Sequence, residues 1–117
     1  YSLPVKGGPD GGVHVSVKDI ALFWQALKDH QLLSKKMTEA LFKPREVVDE
    51  EDDIYYGYCG FMELDSDGQV VKYIQMGYDP GVNYRSVYSP NTDTTIVVCS
   101  NESEGAYELL KAIEEIL

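Results

Sequence analysis

The chain has 117 residues, 44% hydrophobic and 26% charged, which suits one globular domain. Its formal charge of −10, from 20 acidic against 10 basic side chains, repels phosphate and anionic lipid, and no basic stripe offsets it, so a nucleic-acid partner is not expected. No apolar run approaches the roughly 18 residues that cross a bilayer, and the start Tyr1-Ser2-Leu3-Pro4 carries no signal pattern and no Met, so the expectation is an untargeted chain without a membrane segment, processed or excised from something longer.

Residues 1–15 are rich in Gly and Pro, which predicts a turning loop. Ser16 with Asp19 three residues on forms an imperfect capping box, and Ile20, Phe23, Trp24 and Leu27 recur at helical spacing, so a helix begins here with one face in the core. His30 suits the negative pole at its end. A second helix is predicted from about Lys35 to Phe42, capped by Ser34, stopped by Pro44, with Met37, Ala40 and Leu41 on one side; the two form a hairpin over 16–44. The run Asp49-Glu50-Glu51-Asp52-Asp53 reads as a solvated loop, because adjacent carboxylates repel and cannot be buried unpaired.

From Tyr55 the period changes to two. Tyr55 to Leu64, Gln69 to Met76, Asn83 to Ser89 and Thr94 to Ser100 read as strands separated by turn residues, an antiparallel four-strand meander over 55–100. Asp65-Ser66-Asp67-Gly68 is a hairpin turn, since its Gly and missing closing Glu do not fit a calcium loop. The tail, 104–117, places Tyr107, Leu110, Ile113 and Leu117 on one stripe with Ser103 as cap, a terminal helix covering the sheet. The fold class is therefore α+β, an antiparallel sheet flanked by helices. Ile96-Val97-Val98-Cys99 is apolar on both faces yet falls on the last strand of the meander, so the expectation is a missing neighbouring strand, or self-association through Thr94 to Ser100. Cys59 and Cys99 lie in apolar runs and read as free, packed thiols, and no metal or other cofactor is expected, because His14 and His30 have no ligand neighbours.

Gln75-Met76-Gly77-Tyr78-Asp79-Pro80-Gly81 ends one apolar strand and feeds the next without an ordinary hairpin turn, so it reads as a site. The tyrosines clustered on the strands are expected to pack across strands, with Tyr78 the one most suited to line a groove. Arg85 is expected to pair with an acidic neighbour, the alternative being a cation beside Gln75.

Three blocks resemble the serine β-lactamase and penicillin-binding-protein family, most closely its class C-like and esterase-like branches. Gly11-Gly12-Val13-His14-Val15-Ser16 to Phe23, with Leu32-Leu33-Ser34, is similar to the family's Gly-Gly, Ser-Thr-Ala and Asp-Leu segment leading into a helix. Tyr56-Gly57-Tyr58-Cys59-Gly60-Phe61 resembles its Tyr-Gly-Tyr-Gly-Trp strand, Gln75 to Gly81 its His-Thr-Gly-Gly-x-Pro-Gly stretch, and Thr95 to Asn101 its closing Ser-Asn strand. The order of the blocks covers nearly the whole chain, 1–117, as the C-terminal portion of an incomplete β-lactamase-like domain.

The resemblance implies a serine acyl-enzyme mechanism on lactam, peptide or ester bonds, in which Gln75, Met76 and Gly77 form one wall of the substrate cleft and the backbone N–H of Tyr78 supplies half of an oxyanion hole. The family's Ser-x-x-Lys and Tyr-x-Asn motifs are not in these 117 residues: Ser34 is followed by Met37, Ser16 by Asp19, and none of the nine tyrosines has Asn two positions on. No catalytic residue is therefore assigned, and the chain alone is expected to be inactive. Gln75 also replaces a cation and Met76 a hydroxyl residue, which opens the alternative of a non-catalytic module binding a peptide or partner on the same fold. A peptidoglycan-like or small-molecule substrate and a bacterial, extracytoplasmic parent are implied by the resemblance alone.

Overall fold

The computed structural model describes residues 6–8 and 11–117. The loop expected over 1–15 lies partly outside these residues. Helix α1 spans Val17–Lys28 and starts at a complete capping box: the Ser16 hydroxyl accepts from the Asp19 N–H, and the Asp19 carboxylate accepts from the Ser16 N–H. It ends in a Schellman arrangement with His30 in the left-handed region, the N–H groups of His30 and Gln31 reaching the carbonyls of Leu27 and Ala26. Helix α2, Lys35–Leu41, is capped by Ser34 as expected. His30 contacts the Thr38 hydroxyl at 3.3 Å and so ties the two helices together.

Among the described residues the sheet has six antiparallel strands in sequence order, β1 (Glu46–Asp49), β2 (Ile54–Tyr56), β3 (Phe61–Leu64), β4 (Val70–Asp79), β5 (Val82–Ser89) and β6 (Thr94–Ser100). Four strands were expected. The segment Tyr55 to Leu64 is broken at Gly57–Gly60, where the chain loops out, and the first half turns back to pair with β1. β1 is exposed along its whole length, so it carries no buried alternation for a sequence pattern to show. The acidic run begins at the end of β1, where the Asp49 carboxylate accepts from the N–H groups of Glu51 and Asp52 and forms a turn in solvent. The Asp65 carboxylate organises the β3–β4 turn in the same way, through the N–H groups of Asp67 and Gln69.

Helix α3, Ala106–Glu114, lies on one face of the sheet and closes a core of Ile74, Val87, Ile96, Val98, Ala106 and Leu110, flanked by Phe61 and Ile113. Ser103 does not cap it. The helix starts at Gly105, its first N–H is taken by the Asn83 side chain of β5 at 2.9 Å, and the Ser103 hydroxyl instead accepts from the Gly81 N–H in the β4–β5 turn. Of the expected stripe, Leu110 is buried and Ile113 half-buried, whereas Tyr107 and Leu117 face solvent. Helices α1 and α2 cover the opposite face, where Trp24, Leu27, Met62 and Ser86 are buried. On α1, Ile20 is half-buried and Phe23 lies at the surface, so the buried stripe is narrower than its spacing predicted. β6 is the edge strand, with α1 against one face and α3 against the other, which is why both sides of Ile96-Val97-Val98 are apolar.

Candidate functional site

β4 runs unbroken through Gln75, Met76, Gly77 and Tyr78 to Asp79, which pairs with Val82 across Pro80 and Gly81. Gly81 has φ of 82°, and Pro followed by a left-handed Gly is what a type II turn requires. The expectation that no ordinary hairpin turn follows Gln75 to Gly81 is thus corrected: the site stretch is regular strand and the turn is two residues long.

Strand alternation divides the four candidate residues between the two faces. Gln75 pairs with Ser86 and Gly77 with Tyr84, on the face covered by α1. Met76 and Tyr78 point the other way, in register with Arg85 and Asn83 on the α3 face, and their side chains are 45% and 66% exposed. Arg85 therefore cannot stand in for a cation beside Gln75. Nor, among the described residues, does it take up the expected ion pair; its guanidinium lies 4.4 Å from the centre of the Tyr107 ring.

The backbone gathers what the side chains separate. Counting from the Asp79 and Val82 pair that closes the turn, hydrogen-bonded pairs recur every second residue, so Gly77 and Gln75 bond to Tyr84 and Ser86. The N–H and C=O groups of Met76 and Tyr78 consequently point away from β5. On that side β3 stops at Phe61, paired with Ile74, and no described strand lies beside β4 beyond this point. Gly60 explains the stop. Its φ of 145° lies where L side chains rarely go, and a Cβ there would sit 2.9 Å from the Ile74 carbonyl oxygen, so glycine suits the point at which the chain turns out of the sheet. The resulting 57–60 loop brings the half-buried Cys59 next to Gln75, whose amide nitrogen lies 3.9 Å from the thiol sulfur. Both cysteines are free, but Cys59 is in this loop and Cys99 is exposed on β6, so neither is the packed strand residue expected.

Behind Gln75 and Gly77 runs a chain of hydrogen bonds. The Trp24 indole donates to the Ser86 hydroxyl at 3.0 Å, and Ser86 meets the Tyr84 hydroxyl at 2.6 Å. Burial pushes the Tyr84 phenol above its ordinary range, so it stays a neutral hydrogen-bonding group. A Cβ on Gly77 would meet the Tyr84 ring at 3.8 Å, an ordinary contact. Internal packing therefore does not demand glycine at 77, and its effect is to leave the exposed face of β4 bare. Ser86, Tyr84, Trp24 and Gly60 were not singled out as site residues. Their signal, the pairing of β5 against Gln75 to Tyr78, depends on register that only the fold supplies. Among the described residues no three His, Cys, Asp or Glu side chains converge as a metal site would require.

No family model matches the chain, and no curated protein matches it. Among solved structures, the crystal structure of a penicillin binding protein from Bacillus halodurans matches with a TM-score of 0.91 and 43% sequence identity, covering 99% of this chain and 35% of that one. The chain thus spans about a third of the length of that protein. Over nearly its whole length it is related to, and shares the fold of, one part of a penicillin-binding protein, the family its Gly11, Tyr56 and Gln75 blocks resemble.

Proposed function

We propose that the chain supplies one wall of the acyl-binding cleft of a serine hydrolase related to penicillin-binding proteins. The observation that supports this is the open edge of β4, where the backbone groups of Met76 and Tyr78 face a gap left by β3 next to the exposed Gly77. An extended lactam, peptide or ester substrate adds to such an edge as a further strand. In that position the Tyr78 N–H donates to the oxygen on which negative charge develops, and the Gln75 amide offers a neutral hydrogen-bonding group from the α1 face. The attacking serine, its lysine partner and the second oxyanion donor belong to the remainder of a longer protein, so the 117-residue chain alone is inactive.

The test is acylation of the full-length protein by a fluorescent penicillin. Covalent label on a serine outside this chain, with none on the isolated chain, is the expected result; no label on the full-length protein overturns the hydrolase reading. The neutral Gln75 and hydroxyl-free Met76 favour a second reading, a peptide-binding module without turnover. It predicts no acylation, together with peptide-dependent shifts of the Met76 and Tyr78 amide resonances. The outer edge of β6, which carries the backbone groups of Thr95, Val97 and Cys99 and has no neighbouring strand among the described residues, also leads us to expect self-association of the isolated chain. A concentration-independent monomer mass in sedimentation equilibrium contradicts that.

A further inference from the structure

A cavity of about 400 Å³ lies between α1, α2 and the sheet, at the end of the α1 face away from the β4–β5 turn. Four aromatic side chains line it, and they touch in a closed cycle: Trp24 to Phe42 at 5.9 Å, Phe42 to Tyr73 at 4.8 Å, Tyr73 to Tyr88 at 6.2 Å and Tyr88 back to Trp24 at 6.2 Å between ring centres. Its size falls within the roughly 300–1,000 Å³ of small-molecule sites, and well above the roughly 150 Å³ that accepts a single benzene. From this we infer that the cavity is a binding site for an uncharged, planar aromatic molecule of one or two fused rings bearing one hydrogen-bonding group.

The polar groups around the cavity decide the charge and the handle. Lys28 is held by Asp93 at 2.8 Å, the Tyr88 hydroxyl also bonds to Asp93, and the Thr38 hydroxyl donates to the Ser34 carbonyl. Lys43 and Glu39 bring opposite charges to the rim, so no single sign of charge is selected. The Tyr73 hydroxyl differs from these, because it makes no hydrogen bond to another described residue and stays in contact with solvent while its ring is packed between Phe42 and Tyr88. A ligand that stacks on the aromatic faces and meets this hydroxyl takes the place of water on a group not already bonded to another described residue. A fixed negative charge on the ligand would be desolvated against these rings without a dedicated counter-ion, and a cation, which aromatic faces attract, would meet the Lys28 ammonium already 5.9 Å from the Tyr88 ring centre.

Trp24 is the sole tryptophan, so its indole N–H resonance reports the site directly. Titration of the isotope-labelled 117-residue chain with naphthol should move that resonance saturably, with a dissociation constant of about 0.1–1 mM for a ligand of this size. Tyr73→Phe keeps the ring and removes the handle, and should weaken binding about two- to tenfold. Naphthalene sulfonate and (naphthylmethyl)trimethylammonium, which keep the two fused rings and add a charge of either sign, should bind more weakly than naphthol by about tenfold. Absence of a saturable shift overturns the site. Equal affinity in Tyr73→Phe overturns the handle, and equal affinity for either charged probe overturns the proposed ligand class.

Discussion

The Trp24 indole donates to the hydroxyl of Ser86, 62 positions along the chain, at 3.0 Å in the buried layer between α1 and the sheet. Ser86 also meets the Tyr84 hydroxyl, so one small side chain joins α1 to the strand behind the candidate wall. Ser86→Ala leaves the indole donor unpaired where water does not reach, and should destabilise the protein by about 1–3 kcal/mol. Urea unfolding followed by Trp24 fluorescence checks this; an unchanged midpoint would show that the bond contributes nothing to stability.

Gly60 sits where β3 ends and the open edge of β4 begins. An added Cβ combines a φ of 145° with a 2.9 Å approach to the Ile74 carbonyl. Gly60→Ala is therefore expected to cost about 1–3 kcal/mol of stability, through a backbone conformation that L residues rarely adopt. Gly68→Ala serves as a comparison, since its φ is also positive but nothing lies within 4 Å of its Cβ. Gly60→Ala should lower the thermal midpoint more than Gly68→Ala, since Gly60 has both the less accessible φ and the close carbonyl; equal shifts would show that neither adds to the cost.

Much of this architecture was legible in the chain because local chemistry and long-range packing agree there. Ser16 and Ser34 cap the helices they were expected to cap, and Thr94 to Ser100 is a strand over that whole span, because its apolar run answers to helices on both faces. The misreadings fall where tertiary contacts override local pattern. Ser103 looks like a cap but bonds to Gly81, while the first N–H of α3 is capped by Asn83, 23 residues back. β1 has no buried face and hence no alternation to read. At the candidate site, the family blocks single out Gln75 to Tyr78 only as an expectation; the division of their side chains between two faces follows from register with β5, and the open edge follows from the length of β3.

Lys28 and Asp93 form an exposed bond whose pH dependence has a definite sign. The Lys28 hydrogen bond, with a second from Tyr88, holds the Asp93 carboxyl below the usual aspartate range, and the same Asp93 bond pushes Lys28 above the usual lysine range. The contribution of Asp93 to folding is present above its unfolded value and lost as pH falls through its depressed folded value. That of Lys28 is present below its unfolded value and lost as pH rises through its raised folded value. Because both groups are solvated, the effect is small and weakens with salt. In carboxylate NMR titrations Asp93 should have a midpoint below that of an unfolded-peptide aspartate, and Lys28→Met should move it back up; a midpoint unmoved by Lys28→Met contradicts the assignment.

Proline substitution tests the backbone geometry of the wall. Tyr78 faces its N–H toward the open side of β4, so Tyr78→Pro removes a donor without taking a hydrogen bond from β5, and the hairpin should survive with little loss of thermal stability. Gly77 bonds to Tyr84, so Gly77→Pro removes a ladder bond and should cost about 3 kcal/mol or more. In the full-length protein, Tyr78→Pro should slow acylation by penicillin by about a hundredfold to a thousandfold, the usual effect of losing one oxyanion donor. Tyr78→Phe, which alters only the outward-facing side chain, should leave the rate unchanged. Equal acylation rates in Tyr78→Pro and the parent, with both proteins folded, would remove Tyr78 from the oxyanion site, whereas loss of rate in Tyr78→Phe would shift the role from backbone to phenol.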